Sequence, residues 1–382
     1  MIDRDRVTQH LVELVQIDSL SRNEREIALR LKQELEALGA RVVIDDAGEK
    51  VGGNTGNVIA YVAGTVSTAP PLLISAHMDT VTPGNGVKPI LDGTVVRTDG
   101  TTVLGGDDKS GIAAILEVLR VLRERALPHG DLEVVFTICE EVGLLGAKHL
   151  NVSRLRARQG LVLDSDGVDA LVTRAPAADK MEFRVYGREA HAGVAPEQGI
   201  SAIQVAAEAI VRMRLGRVDE ETTANLGVIQ GGVATNIVPN LVVIKGEARS
   251  RSVGKLDAQT AHMRECFREA AGDQRVEING RVFEARIEEW IERDFAVMSL
   301  PDDARIVRLV REAGRNLGRA LTTRPSGGGC DANVLNGLGF QVANLGTGMR
   351  EIHTVNEWLD LNDLWQTTGL LLEVVRLNAA LP

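Results

Sequence analysis

The sequence predicts an α/β fold in which a mostly parallel sheet flanked by helices is interrupted by a smaller ferredoxin-like α+β domain. Three observations predict it. Apolar runs alternate with helical segments through the first half of the chain, the pattern of a parallel sheet whose strands are covered on both faces. From about residue 181 the order becomes strand, helix, strand, strand, helix, strand, the split order of a ferredoxin-like unit. Beyond about Ile291 long helical segments return, so the smaller unit is an insertion and not a tandem neighbour. Length agrees, because 382 residues exceed what one ordinary core accommodates.

In chain order, Leu11, Leu14, Val15 and Ile17 recur at helical spacing, and Ser21 with Glu24 reads as a capping box opening a second helix that stops at Gly39. Strands are expected at 57–62, 71–76, 132–138 and 160–163, with a helix over 109–124. In the inserted unit, 181–187, 224–229, 241–248 and 282–289 read as strands, and 199–214 and 255–272 as helices. Helices over 302–317 and 361–378 enclose a Gly-rich loop at 326–331. The larger domain therefore comprises 1–176 and 292–382, and the insertion 177–291.

Composition narrows the function classes. Apolar residues make up 44% of the chain and charged residues 25%, an ordinary globular balance. A net charge of −10 argues against nucleic acid and anionic membrane as partners. No apolar run approaches the length that spans a bilayer. Cys139, Cys266 and Cys330 are odd in number and form no Cys-x-x-Cys pair, so they read as free thiols in a reducing compartment. A cytoplasmic location is expected.

Chemistry concentrates at the predicted strand ends. The run Leu72 to Asp79 closes in His77-Met-Asp79, followed by Gly-Gly-Asp-Asp-Lys at 105–109, Cys-Glu-Glu at 139–141, Leu-Asp-Ser at 163–165 and Ile-His-Thr at 352–354. Two divalent ions held close together need a bridging carboxylate, further nitrogen and oxygen ligands, and a position open to water. Asp107 suits the bridge, His77 with Asp164 one ion, and Glu141 with His353 the other. Singly, each of these has a plainer reading, a surface histidine or a solvated acidic turn. Most of them lie just past predicted strand ends, where open α/β sheets place their ligands, and His353 must arrive from the end of the chain.

Adjacent residues of an extended segment point to opposite sides, so Glu140 is expected to face the reacting water while Glu141 faces an ion. A carboxylate there can take a proton from water attacking a carbonyl and hand it to a leaving amine. Asp79 suits a carboxylate that fixes the His77 tautomer, or equally a turn or cap. Asp108 and Lys109 are expected to shape the turn into the helix. In the insertion, His191 in Gly187-Arg-Glu-Ala-His-Ala-Gly193, Asn236 in Gly231-Gly-Val-Ala-Thr-Asn236, and Arg249 offer donors for an oxyanion and a substrate carboxylate, or are simply loop residues. The glycines at 327–329 lack the context of a P-loop and read as backbone packing against a substrate, or as plain loop.

These motifs, in this order, resemble the di-zinc metallopeptidase superfamily of peptidase T, carboxypeptidase G, aminoacylases and acetylornithine deacetylase. Gly-Gly-Asp-Asp-Lys-Ser-Gly at 105–111, Cys-Glu-Glu-Val-Gly at 139–143 and Ser-Gly-Gly-Gly-Cys-Asp-Ala-Asn at 326–333 are most similar to its peptidase T-like branch. The resemblance implies a catalytic domain interrupted by a lid and dimerisation domain. It implies two metal ions, zinc first with cobalt or manganese as alternatives, held by His77, Asp107, Glu141, Asp164 and His353. It further implies Glu140 as general base, Asp79 as a supporting carboxylate beside His77, His191 reaching a partner subunit's site, and Asn236 with Arg249 as a substrate-contacting pair. The expected activity is hydrolysis of small peptides by an aminopeptidase of tripeptidase T type, working as a homodimer. The alternatives are an N-acyl amino acid deacylase or carboxypeptidase of the same superfamily, or a catalytically silent binding protein. Two departures stand out: peptidase T is similar to Gly-Gly-Thr-Asp-Gly in the late loop, where this chain has Gly-Gly-Gly-Cys-Asp, and its metal histidine precedes Gly, where Thr354 stands here.

Overall fold

The structure, a computed structural model, describes residues 1–380. The chain divides into two compact units, one formed by Met1–Arg174, Ser299–Ser326 and the segment from Cys330 onward, the other by Ala175–Met298 with Gly327–Gly329. Among the described residues no helix is long and apolar enough to cross a membrane.

The larger unit is built on a 12-stranded sheet whose centre runs Val58–Val62, Leu132–Thr137, Leu72–His77, Gln159–Asp166, Gln341–Arg350. The last four of these are parallel to one another, and Val58–Val62 joins antiparallel. Leu72–His77 and Leu132–Thr137 are buried at every position, which is why they read as mainly apolar runs instead of alternating ones. Helix Gly106–Glu124 packs on the central strands, with Arg4–Val15 and Leu361–Ala380 against it. Arg6 fastens the first helix to this one by pairing with Glu117, whose carboxylate is fully buried, at 2.7 Å.

The smaller unit is an antiparallel sheet ordered Thr222–Gly231, Leu241–Ser250, Ala177–Tyr186, Arg286–Phe295, with helices Ala202–Arg212 and Val253–Gly272. Numbered by appearance, the strands lie 2-3-1-4 with one helix in each crossover, the ferredoxin-like arrangement. Its core includes Phe183 stacked on Phe267 with ring centroids 4.2 Å apart.

Several elements differ from the sequence reading. Ser21 and Glu24 do not form a capping box, since helix Arg25–Ala37 has no side-chain cap and the Ser21 hydroxyl donates instead to Asp79 at 2.6 Å. The final strand of the insertion is Arg286–Phe295, preceded by a hairpin of Arg275–Ile278 and Arg281–Glu284, which carries that unit to Met298. Gln341–Arg350 is a central strand that the sequence does not announce. Its Asn344, Gly346, Thr347 and Gly348 break the apolar pattern, and burial is sustained because Asn344 and Thr347 are hydrogen-bonded, the latter accepting from Ser110 at 2.7 Å.

Candidate metal and catalytic centre

The C-terminal ends of the four parallel strands deliver the candidate residues, as the general rule for open α/β sheets requires. His77 is the last residue of its strand, Glu140 and Glu141 follow Thr137 in a turn, and Asp164 lies near the end of Gln159–Asp166. His353 comes three residues past Arg350, and Asp107 sits where the chain turns into helix Gly106–Glu124. Gly105 makes that turn at φ +70°, a conformation that glycine adopts without strain.

The arrangement centres on Asp107. One of its oxygens lies 3.0 Å from His77 Nε2 and the other 3.2 Å from His353 Nε2, with Glu141 3.0 Å from the same His353 nitrogen. Potential ligand atoms of His77, Asp107 and Asp164 all fall within 4.8 Å of one another, as do those of Asp107, Glu141 and His353, and those of His77, Glu140 and Glu141. This is a candidate metal-binding cluster with one carboxylate shared between two histidines.

Burial and mutual repulsion set the electrostatics of the cluster. Burial, followed by repulsion among the acids, raises the pKa of Asp164 and Glu140, and burial raises that of Glu141 against the opposing hydrogen bond to His353. Burial acts the same way on Asp107, but the hydrogen bonds to His353 and His77 outweigh it and hold that carboxyl low. His353 is pushed up to about 10 by Asp107 and Glu141. On His77 burial opposes charge, yet Asp107 and Asp79 overcome it and raise the pKa. Acids crowded into a dry site at this density demand positive charge. Two imidazoles and several carboxylates make a hard-to-borderline donor set that fits divalent ions such as zinc.

His77, Asp107, Glu140, Glu141 and Asp164 are each held through the main-chain N–H by a buried side chain. Asp79 is fully buried and accepts the Glu140 N–H at 2.9 Å and the Glu141 N–H at 3.2 Å. Glu140 and Glu141 thus stand in a turn and not, as the sequence suggested, in an extended segment. The His77 tautomer is set by the main-chain carbonyl of Asp79, which accepts from Nδ1 at 2.9 Å, while the carboxylate is 3.5 Å away. The expected residue is in place, but a different atom does the orienting. Asp108 accepts from the His77 N–H at 3.2 Å and from the Gly111 N–H at 3.2 Å, shaping the turn as expected. Lys109 is fully buried and donates to the Ile17 carbonyl at 2.7 Å.

The sequence reading missed other supports. Glu357 accepts from the N–H groups of Gly105 at 2.8 Å and Asp107 at 3.0 Å. Glu24 accepts from the Cys139 N–H at 2.9 Å. Asp331, buried and bonded to the Thr137 hydroxyl at 2.5 Å, keeps its other oxygen without a hydrogen-bond partner, and burial pushes its pKa up to about 6. Only the position of Glu357, four residues past His353, offered a sequence signal. In the Gly-rich loop, a Cβ on Gly329 would come within 2.3 Å of the Phe295 ring, so that glycine serves internal packing.

The residues assigned to the insertion sit in the smaller unit. His191 is exposed in a loop that pairs with Ile237, and the Asn236 carbonyl accepts from the Ala192 N–H at 2.9 Å. Arg249 lies near the far end of Leu241–Ser250, forked onto Glu247 at 2.9 and 3.0 Å. At a rise of about 3.3 Å per residue, the length of that strand separates the Asn236 loop from Arg249 by roughly 25 Å. Within one unit the two therefore lie apart.

The family model described as peptidase family M20/M25/M40 matches residues 73–377. The chain belongs to this family. The uncharacterized protein YqjE of Bacillus subtilis is 43% identical over 376 residues, covering 98% of this chain and 99% of its own. The crystal structure of aminopeptidase PepT from Bacillus cereus superposes with a TM-score of 0.90 at 40% identity, covering 99% of each chain. That of a tripeptidase from Staphylococcus aureus gives 0.93 at 38% identity over 100% of each. These likenesses place the M20 chain in the peptidase T-like branch and make it a metallopeptidase.

Proposed function

We propose that the protein is a two-metal aminopeptidase that releases the N-terminal residue of short peptides, tripeptides foremost. The observation that carries this is the Asp107 carboxylate divided between His77 and His353, with Asp164 and Glu141 beside them. In this reading His77, Asp107 and Asp164 hold one ion, and Asp107, Glu141 and His353 the other. Zinc is the first choice for this donor set, with cobalt and manganese also compatible. When bound, such ions polarise the scissile carbonyl and acidify a water molecule. Glu140 takes the proton of the attacking water and passes it to the leaving amine. Asp79 supports it by fixing the turn on which it stands.

The same proposal makes the protein a cytoplasmic homodimer. Free thiols at Cys139, Cys266 and Cys330 suit a reducing compartment. Dimerisation through the smaller unit is supported by exposed apolar residues there, including Val211 at 86%, Val233 at 83% and Ile229 at 57%. It is also supported by the separation of Asn236 and Arg249, which can engage one small substrate only if each comes from a different copy. His191, on the Asn236 side, then steadies the oxyanion in the partner's site, and Arg249 pairs with the substrate carboxylate in its own. Mixing His191→Ala with Glu140→Ala is expected to restore activity that neither variant has alone, since a hybrid dimer regains one complete site. No recovery after subunit exchange would remove the shared site.

The activity is tested with metal-stripped protein and a matched set of di-, tri- and N-acylated peptides, assayed before and after adding zinc, cobalt or manganese. Metal-restored cleavage of free-amine peptides is expected, with tripeptides fastest. Cleavage confined to acylated peptides would make it a deacylase, and cleavage needing only a free C-terminal carboxylate a carboxypeptidase.

A further inference from the structure

Strands Gln159–Asp166 and Gln341–Arg350 run parallel but lose register next to Asp164. Asn344 faces Val162 and Gly346 faces Ser165, so one strand advances three residues while the other advances two. Slips of this kind bend a strand and re-aim a side chain, at the cost of ladder hydrogen bonds. Here the lost bonds are replaced by a side chain. Asn344 Oδ1 accepts the Asp164 N–H at 2.9 Å, and Asn344 Nδ2 donates to the Asp164 carbonyl at 2.5 Å. The second Nδ2 hydrogen goes to Cys330 Sγ at 3.3 Å. Asn344 is 5% exposed, and its amide orientation is fixed, because the flipped form would set Nδ2 against the Asp164 N–H.

We propose that Asn344 is a positioning residue for Asp164, holding that carboxylate in the geometry that binds one of the two ions. The inference rests on the two-ion reading above. Asn344 touches no reacting atom and acts only through the Asp164 main chain. Its effect is therefore selective: the ion of His77, Asp107 and Asp164 depends on it, and the ion of Asp107, Glu141 and His353 does not.

The test is zinc titration of stripped protein with stoichiometry read by calorimetry and elemental analysis. Wild type is expected to bind two ions. Asn344→Ala is expected to bind one with unchanged affinity and the other about 10–100-fold more weakly, the cost typical of a residue that orients a ligand. Asn344→Asp keeps the acceptor but turns an oxygen toward the Asp164 carbonyl, and is expected to weaken the same ion; it carries the test if the alanine variant does not fold. In an Asp164→Ala background the Asn344 effect should vanish, which a general loss of structure would not produce. Two ions at wild-type affinity in a folded Asn344 variant, equal weakening of both ions, or an undiminished effect without the Asp164 side chain would each overturn the proposal. A wild type binding fewer than two ions would remove the two-ion reading, and this inference with it.

Discussion

Asp107→Ala is expected to abolish stoichiometric binding of both ions at once. Its two oxygens reach both histidines, lying 3.0 Å from His77 Nε2 and 3.2 Å from His353 Nε2. Its removal takes a shared donor and leaves each side with an imidazole and one carboxylate, too few to hold an ion tightly. The loss should therefore exceed the roughly 10–100-fold that a supporting residue costs. Asp164→Ala and Glu141→Ala should each weaken a single ion. Elemental analysis after dialysis reads the stoichiometry. A thermal melt reads the linkage, since ligand that binds only the native state raises the midpoint. Zinc should shift the melt of the wild type and leave that of Asp107→Ala unchanged. One tightly held ion in Asp107→Ala would show that the carboxylate is not shared.

Glu140→Ala is expected to separate binding from turnover: both ions retained, peptide hydrolysis reduced by about 10²–10⁴-fold, the range general-base catalysis supplies. The side chain is buried, and burial followed by repulsion from Asp164 raises its pKa. A base so placed can hold the proton that a solvated glutamate would release. Its position is set by Asp79, which accepts from the main chain at 140 and 141. Steady-state assays beside metal analysis test this, and full metal content with an undiminished rate would end the general-base role.

Much of the site was readable in the sequence because its chemistry lies at strand ends. His77, Glu140, Glu141 and Asp164 close or follow strong apolar runs and Asp107 opens a strong helical period, and the structure gathers them with His353 at the C-terminal ends of the central strands. What escaped reading is what depends on tertiary contact. Glu24 and Asn344 act on the backbone of residues far away in sequence, and no local pattern distinguishes such a buried acceptor from a solvated one. Strand Gln341–Arg350 was hidden for the same reason, its polar residues being satisfied only by distant partners. Ser21 misled because its hydroxyl serves Asp79 and not the helix that follows.

The most direct test of the central claim is anomalous diffraction at the zinc edge from crystals of the wild type grown with zinc. Two peaks are predicted, one among His77, Asp107 and Asp164, the other among Asp107, Glu141 and His353, with the Asp107 carboxylate between them and Glu140 left uncoordinated. A single peak, or peaks away from Asp107, would contradict it.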